Sequence, residues 1–208
     1  MRFLTFLVAI SLGWSAHAAP APLPIGTILV LGDSLTAGYE LSVEQRWSTL
    51  LDARLSSEGL PWRVVNAGVS GDTTAGGLTR LPELLETHHP VLVILALGAN
   101  DGLRGMPPAQ IEARLRALIE AIQASGAEIL LAGQKIPPNL GRRYTEAFEG
   151  LYPKLAQAYH LPSIPFLLEG AAGDPALTLP DGMHPNARGQ EVVVETVYRA
   201  LVRAFKAP

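Results

Sequence analysis

The sequence predicts an α/β domain of three layers, an α/β/α sandwich whose sheet has about five mainly parallel strands. Three observations lead there. Apolar runs rich in Val, Ile and Leu recur along the chain, and longer segments of helical period separate them. One run, Val91-Leu92-Val93-Ile94-Leu95-Ala96-Leu97, is apolar at every position. A strand with no polar side must be covered on both faces, which a parallel sheet between two helix layers provides.

The runs that read as strands span 27–32, 62–66, 91–98, 128–133 and, more weakly, 163–165. The segment 44–58 carries Trp47, Leu50, Leu51 and Leu55 on one helical face. Further helical segments follow at 76–87, at 108–125, at 144–159 and at 187–205. Pro107 and Pro108 open the one at 108–125, and Gly126 closes it. With 48% hydrophobic and 17% charged residues in 208, the chain holds enough apolar material for one sizeable core. The formal charge of -3 comes with no basic run, which argues against nucleic acid or an anionic membrane surface as partner. Cysteine is absent, so disulfides, a thiol nucleophile and zinc–thiolate sites are excluded.

The first residues read as a targeting segment. Arg2 precedes an apolar stretch at 3–14, and Ala16-His17-Ala18 has the small-x-small pattern of a cleavage site. The stretch is shorter than the roughly 20 residues of a membrane span. The expected organisation is a signal peptide at 1–18, a flexible lead-in at 19–26 and a single domain at 27–208. The domain is then exported, periplasmic or secreted, with no stable membrane insertion after cleavage.

Ligands of open α/β sheets bind beyond the carboxyl ends of the strands, so the residues after each strand are the ones to inspect. After the first comes Gly32-Asp33-Ser34-Leu35-Thr36-Ala37-Gly38. A serine at a tight strand-to-helix turn exposes its hydroxyl at the rim of the sheet, although an ordinary cap serine looks the same. After the second, in Val69-Ser70-Gly71-Asp72-Thr73-Thr74, Gly71 offers an unobstructed N–H, or simply a turn. After the third, Asn100 in Gly98-Ala99-Asn100-Asp101-Gly102 places an amide where a buried strand emerges, in what is also a common turn sequence. Near the C-terminus stands Pro180-Asp181-Gly182-Met183-His184-Pro185. His88, His89 and His160 lack a patterned acidic partner, whereas His184 has Asp181 three residues before it. That spacing lets a carboxylate hold one imidazole nitrogen while the other faces outward. Each segment alone is ambiguous. Together they supply a hydroxyl, a base with its orienter and oxyanion donors, which are the parts of acyl transfer.

These four blocks, Gly32-Asp33-Ser34-Leu35, Gly71 in its loop, Gly98-x-Asn100-Asp101 and Asp181-x-x-His184, resemble the SGNH (GDSL) hydrolases. The resemblance covers the whole chain after the leader. Ser70-Gly71-Asp72-Thr73, Asn100-Asp101-Gly102-Leu103-Arg104-Gly105 and Gly141-Arg142-Arg143-Tyr144 are similar to the bacterial periplasmic thioesterase I / lysophospholipase L1 / arylesterase branch. The resemblance implies a flavodoxin-like sandwich and hydrolysis of small acyl esters and thioesters, lysophospholipids among them. It implies Ser34 as nucleophile, His184 as base oriented by Asp181, and an oxyanion hole from Ser34, Gly71 and Asn100, with no metal or organic cofactor. Leu140, Ala99 and Asn66-Ala67-Gly68 depart from that branch without touching these roles.

Leu103, Met106, Pro138, Leu140 and Met183 are the expected substrate-binding residues, with Pro107, Pro108, Ile136 and Pro137 beside them. They are apolar and lie in or next to the active-edge loops, where an acyl chain or aromatic ring would sit. A carbohydrate O-acetyl esterase of the same fold is one other reading, with Trp47 as an aromatic near the site. A non-catalytic acyl-binding module is another, and it would carry a damaged constellation.

Overall fold

The computed structural model describes residues 25–205. The leader expected at 1–18 and residues 19–24 of the lead-in lie outside them. Five strands, β1 (Gly26–Gly32), β2 (Trp62–Gly68), β3 (Leu92–Ala96), β4 (Glu128–Ala132) and β5 (Ser163–Ile164), form one sheet. Their order is β2-β1-β3-β4-β5 and every neighbouring pair is parallel. This is the flavodoxin-like order, in which the direction of winding reverses between β1 and β3.

Among the described residues eight α-helices flank the sheet: α1 (Ser34–Ala37), α2 (Trp47–Ser57), α3 (Thr74–His88), α4 (Ala99–Leu103), α5 (Pro108–Ala124), α6 (Arg142–Glu149) and α7 (Leu151–Ala158) between strands, and α8 (Ala187–Ala204) after the last. Side chains along a strand alternate between its faces. Leu29 and Leu31 of β1 enter a core shared with α3, α5, α6 and α7, while Ile28 and Val30 enter one shared with α2 and α8. All four are fully buried. The apolar runs therefore predict the two helix layers as well as the sheet.

The departures from expectation have local causes. The helix expected at 144–159 is two, α6 and α7, meeting at Gly150. Pro153 has no N–H to give the Glu149 carbonyl one turn back, so the ladder breaks there. The helix expected from 44 begins at Trp47, after a separate 3-10 turn at Val43–Gln45. The helix expected from 76 begins at Thr74, because the Thr73 hydroxyl accepts from the Gly76 N–H at 3.2 Å and caps it. α1 and α4 are too short for a periodic signal.

Register positions the site. Gly32 pairs with Gly68 on one side and Ala96 on the other, so β1, β2 and β3 end level and their following residues share one edge. At that edge α1 lies directly on the end of β2. A Cβ on Gly68 would sit 2.4 Å from the Ala37 amide nitrogen and 2.8 Å from the Thr36 carbonyl carbon. Backbone atoms cannot swing aside, so Gly68→Ala is expected to destabilise by about 1–3 kcal/mol, the usual range for overpacking. Urea denaturation of parent and variant checks this; an unchanged midpoint would show that α1 is free to move.

Candidate active site

Ser34 opens α1 where the chain leaves β1. The Asp33 carboxylate caps the helix, accepting from Leu35 N–H at 3.0 Å. Trp47 Nε1 donates to the Leu35 carbonyl at 3.0 Å, and Asn66 Nδ2 donates to the Thr36 carbonyl at 2.7 Å. Its own cap, α2 and β2 thus hold one short helix.

His184 lies 150 positions later and meets Ser34: Nε2 is 2.8 Å from the hydroxyl oxygen. Its Nδ1 is 2.6 Å from Asp181 Oδ2. A carboxylate on Nδ1 favours the tautomer with the proton there, leaving Nε2 to accept from the hydroxyl. Asp181 Oδ1 accepts from the amides of Met183 at 2.8 Å and His184 at 3.0 Å, which closes the turn at the spacing read in the sequence. Burial pushes the Asp181 carboxyl up, but those two amides and the imidazole outweigh it and hold the group at about 2. Gln190 of α8 ties this turn to α2, accepting from Trp47 N–H at 2.8 Å and donating to the Pro185 carbonyl at 3.4 Å.

Asn100 stands in the first turn of α4, its Nδ2 donating to Asp33 Oδ2 at 3.2 Å. Gly71 adopts φ +79, a conformation that favours glycine, and its carbonyl accepts from Arg104 at 3.0 Å. Among the described residues, the N–H groups of Ser34 and Gly71 donate to no backbone acceptor. Asp101 is fully buried and binds the Thr74 amide at 2.8 Å and hydroxyl at 2.6 Å, locking α4 to the start of α3.

A cleft of about 470 Å³ contains Ser34, Asn100 and His184. Of the expected substrate residues, Leu103 and Met183 line it, with Ile136 and Pro137. Met106, Pro138 and Leu140 do not. The Met106 carbonyl takes the Tyr144 hydroxyl at 2.7 Å and its sulfur lies 3.1 Å from Arg114, which fixes it between α5 and α6. Pro138 and Leu140 form a 3-10 turn, and Leu140 borders a separate hollow with Tyr144. Trp47, expected near the site, is 1% exposed and presents no face to a ligand. Leu35, Phe166 and Leu168 line the cleft without having been singled out in the sequence. Phe166 and Leu168 follow a two-residue strand whose weak signal left their position open. A larger hollow of about 810 Å³ runs along α8 but holds none of the polar side chains described above, so chemistry rather than size selects the cleft.

Two further side chains join the site unannounced by any spacing. Tyr39 lies against His184, ring centroids 4.6 Å apart and planes inclined by 35°. Asp33 is 1% exposed, and burial pushes its carboxyl up to about 6 despite the Leu35 amide, nearby His184 and the Asn100 side chain, all of which favour the charge.

A model of the GDSL-like Lipase/Acylhydrolase family matches residues 30–192. Esterase TesA of Pseudomonas aeruginosa is 46% identical over 175 residues, 84% of this chain and 87% of the relative. An arylesterase of Vibrio mimicus is 44% identical over 176 residues, 85% of this chain and 88% of the relative. Thioesterase 1/protease 1/lysophospholipase L1 of Escherichia coli (strain K12) is 42% identical over 198 residues, 95% and 91% of the two chains. Among solved structures, that of TesA superposes with a TM-score of 0.81 at 46% identity, covering 84% of this chain and 97% of that one. The psychrotrophic esterase EstA from Pseudoalteromonas sp., inhibited by monoethylphosphonate, gives 0.81 at 36% identity, covering 84% and 96%.

Asp33 makes stability depend on pH in a defined direction. Its value rises on folding from 3.8 to about 6. Between those values the folded state keeps a proton that the unfolded chain releases, so stability falls as pH rises through that window. Above it the full deficit is about 3 kcal/mol, at 1.36 kcal/mol per unit. Asp33→Asn keeps a capping oxygen and removes the charge. Thermal melts are expected to place the variant above the parent at about pH 8 and to close that gap by about pH 4. A gap of constant size at both would refute the assignment.

Proposed function

The chain belongs to the GDSL-like lipase/acylhydrolase family and is a serine hydrolase of carboxylic esters; from that premise we propose how its cleft divides the work. His184 Nε2 takes the Ser34 proton as the serine oxygen bonds to the ester carbonyl carbon. The carbonyl electrons move onto oxygen, which the N–H groups of Ser34 and Gly71 and the side chain of Asn100 receive. The tetrahedral intermediate collapses, His184 protonates the departing alcohol or thiol, and an acyl-enzyme remains on Ser34. Water then gives a proton to His184 and its oxygen to the acyl carbon. A second collapse releases the carboxylic acid and returns the proton to Ser34. Asp181 stays ionised, orients the imidazole and stabilises its cationic form. The observation that carries this reading is the continuous line Ser34 Oγ, His184 Nε2, His184 Nδ1 and Asp181 Oδ2, with steps of 2.8 and 2.6 Å.

The substrates are acyl esters, aryl esters among them, together with acyl thioesters and lysophospholipids. The names of the relatives support this range, and so does a cleft walled by Leu35, Leu103, Ile136, Phe166, Leu168 and Met183. Its size suits a medium acyl chain or one aromatic ring. The chain is also exported, with cleavage after Ala18, on the strength of Arg2, the apolar stretch at 3–14 and Ala16-His17-Ala18. Among the described residues no helix is long and apolar enough to cross a membrane. The intact mass of the protein recovered from a cell envelope extract tests the cleavage: a chain beginning at Ala19 is expected, and one retaining residues 1–18 contradicts it.

Turnover of p-nitrophenyl esters of graded chain length tests the mechanism. The parent is expected to hydrolyse them and a folded Ser34→Ala to be inactive. Asn100→Ala is expected to stay folded, with a melting temperature lowered by the loss of its hydrogen bond to Asp33, and to lose about 10²–10³ in kcat, as for loss of one oxyanion donor. A Ser34→Ala variant of full activity would overturn the assignment.

A further inference from the structure

Tyr39 touches the proposed base, and the mechanism above gives it no task. Its backbone is tied to the nucleophile: the Tyr39 N–H donates to the Ser34 carbonyl at 3.2 Å, beside Gly38 N–H to the same oxygen at 3.1 Å. Its ring is tied to the base, 4.6 Å from the imidazole of His184. One residue therefore spans two partners that lie 150 positions apart in the chain.

The turn that aims the ring is a costly one. Gly38 has φ +71 and Glu40 has φ +56, so a left-handed residue stands on each side of Tyr39. Glutamate rarely adopts that conformation, and such strain persists where surrounding contacts over-determine it, often next to a working site. Here the Leu41 N–H closes the turn on the Gly38 carbonyl at 3.0 Å. Tyr39 is 41% exposed, and its ring lies against that of His184.

We propose that Tyr39 is the positioning residue of the proton shuttle: its ring fixes the rotation of the His184 imidazole and stabilises the imidazolium formed when Ser34 gives up its proton. Asp181 holds the imidazole through Nδ1 but leaves it free to rock about that hydrogen bond. A ring packed against the imidazole removes this freedom and keeps Nε2 on the Ser34 oxygen. The same ring presents π electrons to a group that is cationic in both tetrahedral intermediates, an attraction that strengthens in the transition state. The hydroxyl has no part in this. The adjacent Glu40 charge and hydrogen bond push the phenol above its ordinary value, so it stays neutral and exchanges no proton with His184.

The inference rests on the serine mechanism proposed above. Steady-state kinetics of Tyr39→Phe, Tyr39→Leu and Tyr39→Gln on one p-nitrophenyl ester test it, with melting temperatures from the same preparations. Tyr39→Leu and Tyr39→Gln are expected to lose about 3- to 10-fold in kcat with KM unchanged, and Tyr39→Phe to restore kcat to within about 2-fold of the parent. Three results would overturn it. The first is a full kcat in both non-aromatic variants. The second is a rise in KM alone, which would make the ring a substrate platform. The third is a loss in Tyr39→Phe as large as in Tyr39→Leu, which would point to the hydroxyl. An inactive parent, or an active Ser34→Ala, would instead sink the serine mechanism itself, so the two failures are distinguishable.

Discussion

The parallel pairing of β1 with β2 and β3 is the constraint on which the rest of the molecule depends. Because Gly32 is level with Gly68 and with Ala96, the three turns that follow leave the sheet at the same height. Ser34, Gly71 and Asn100 then stand at one edge without any long loop reaching for another. A slip of one residue in β1 would exchange Ile28 and Val30 with Leu29 and Leu31 between the two cores and rotate Ser34 away from the rim. The apolar faces that set the register therefore also set the chemistry.

Polar groups buried under that edge convert a level sheet into a fixed geometry. Asp33 caps α1 and receives Asn100; Asp101 joins α4 to α3 through Thr74; Gln190 joins the His184 turn to α2, whose Trp47 in turn holds the carbonyl of Leu35. A buried polar group without a partner costs about 1–3 kcal/mol, so each pairing resists displacement of either element. The site carries a cost in return. Asp33 is charged at neutral pH in a position where burial disfavours the charge. Among the described residues, the N–H groups of Ser34 and Gly71 have no backbone acceptor.

Much of this was legible in the sequence. The strand runs were readable because a doubly covered strand is apolar at successive positions, and Val91 to Leu97 has no other economical reading. Asp181 and His184 were readable because one turn brings them together; Ser34 was readable from its place after the first strand. What escaped depends on conformation or on distant packing. Tyr39 reaches His184 only through a left-handed turn at Gly38 and Glu40, which no periodicity announces. The roles of Asp33 and Asp101 arise from burial, and neighbouring residues in sequence do not reveal it. Met106, Pro138 and Leu140 have the right polarity and the right loops, yet Tyr144 bonds the Met106 carbonyl and Leu140 borders another hollow beside Tyr144. Pro153 stands inside the segment 144–159 that was read as one helix, and its missing N–H marks the break that this reading passed over.

The central claim, that Ser34 is the nucleophile driven by His184 and Asp181, is tested most directly by trapping the covalent step. The protein would be treated with a p-nitrophenyl alkylphosphonate, digested, and its peptides weighed by mass spectrometry alongside an assay of residual esterase activity. The account predicts one adduct per chain, on the peptide containing Ser34, with p-nitrophenol released in equal amount and activity lost in parallel. Loss of activity with the adduct on another residue, or full labelling of Ser34 with activity intact, would contradict it.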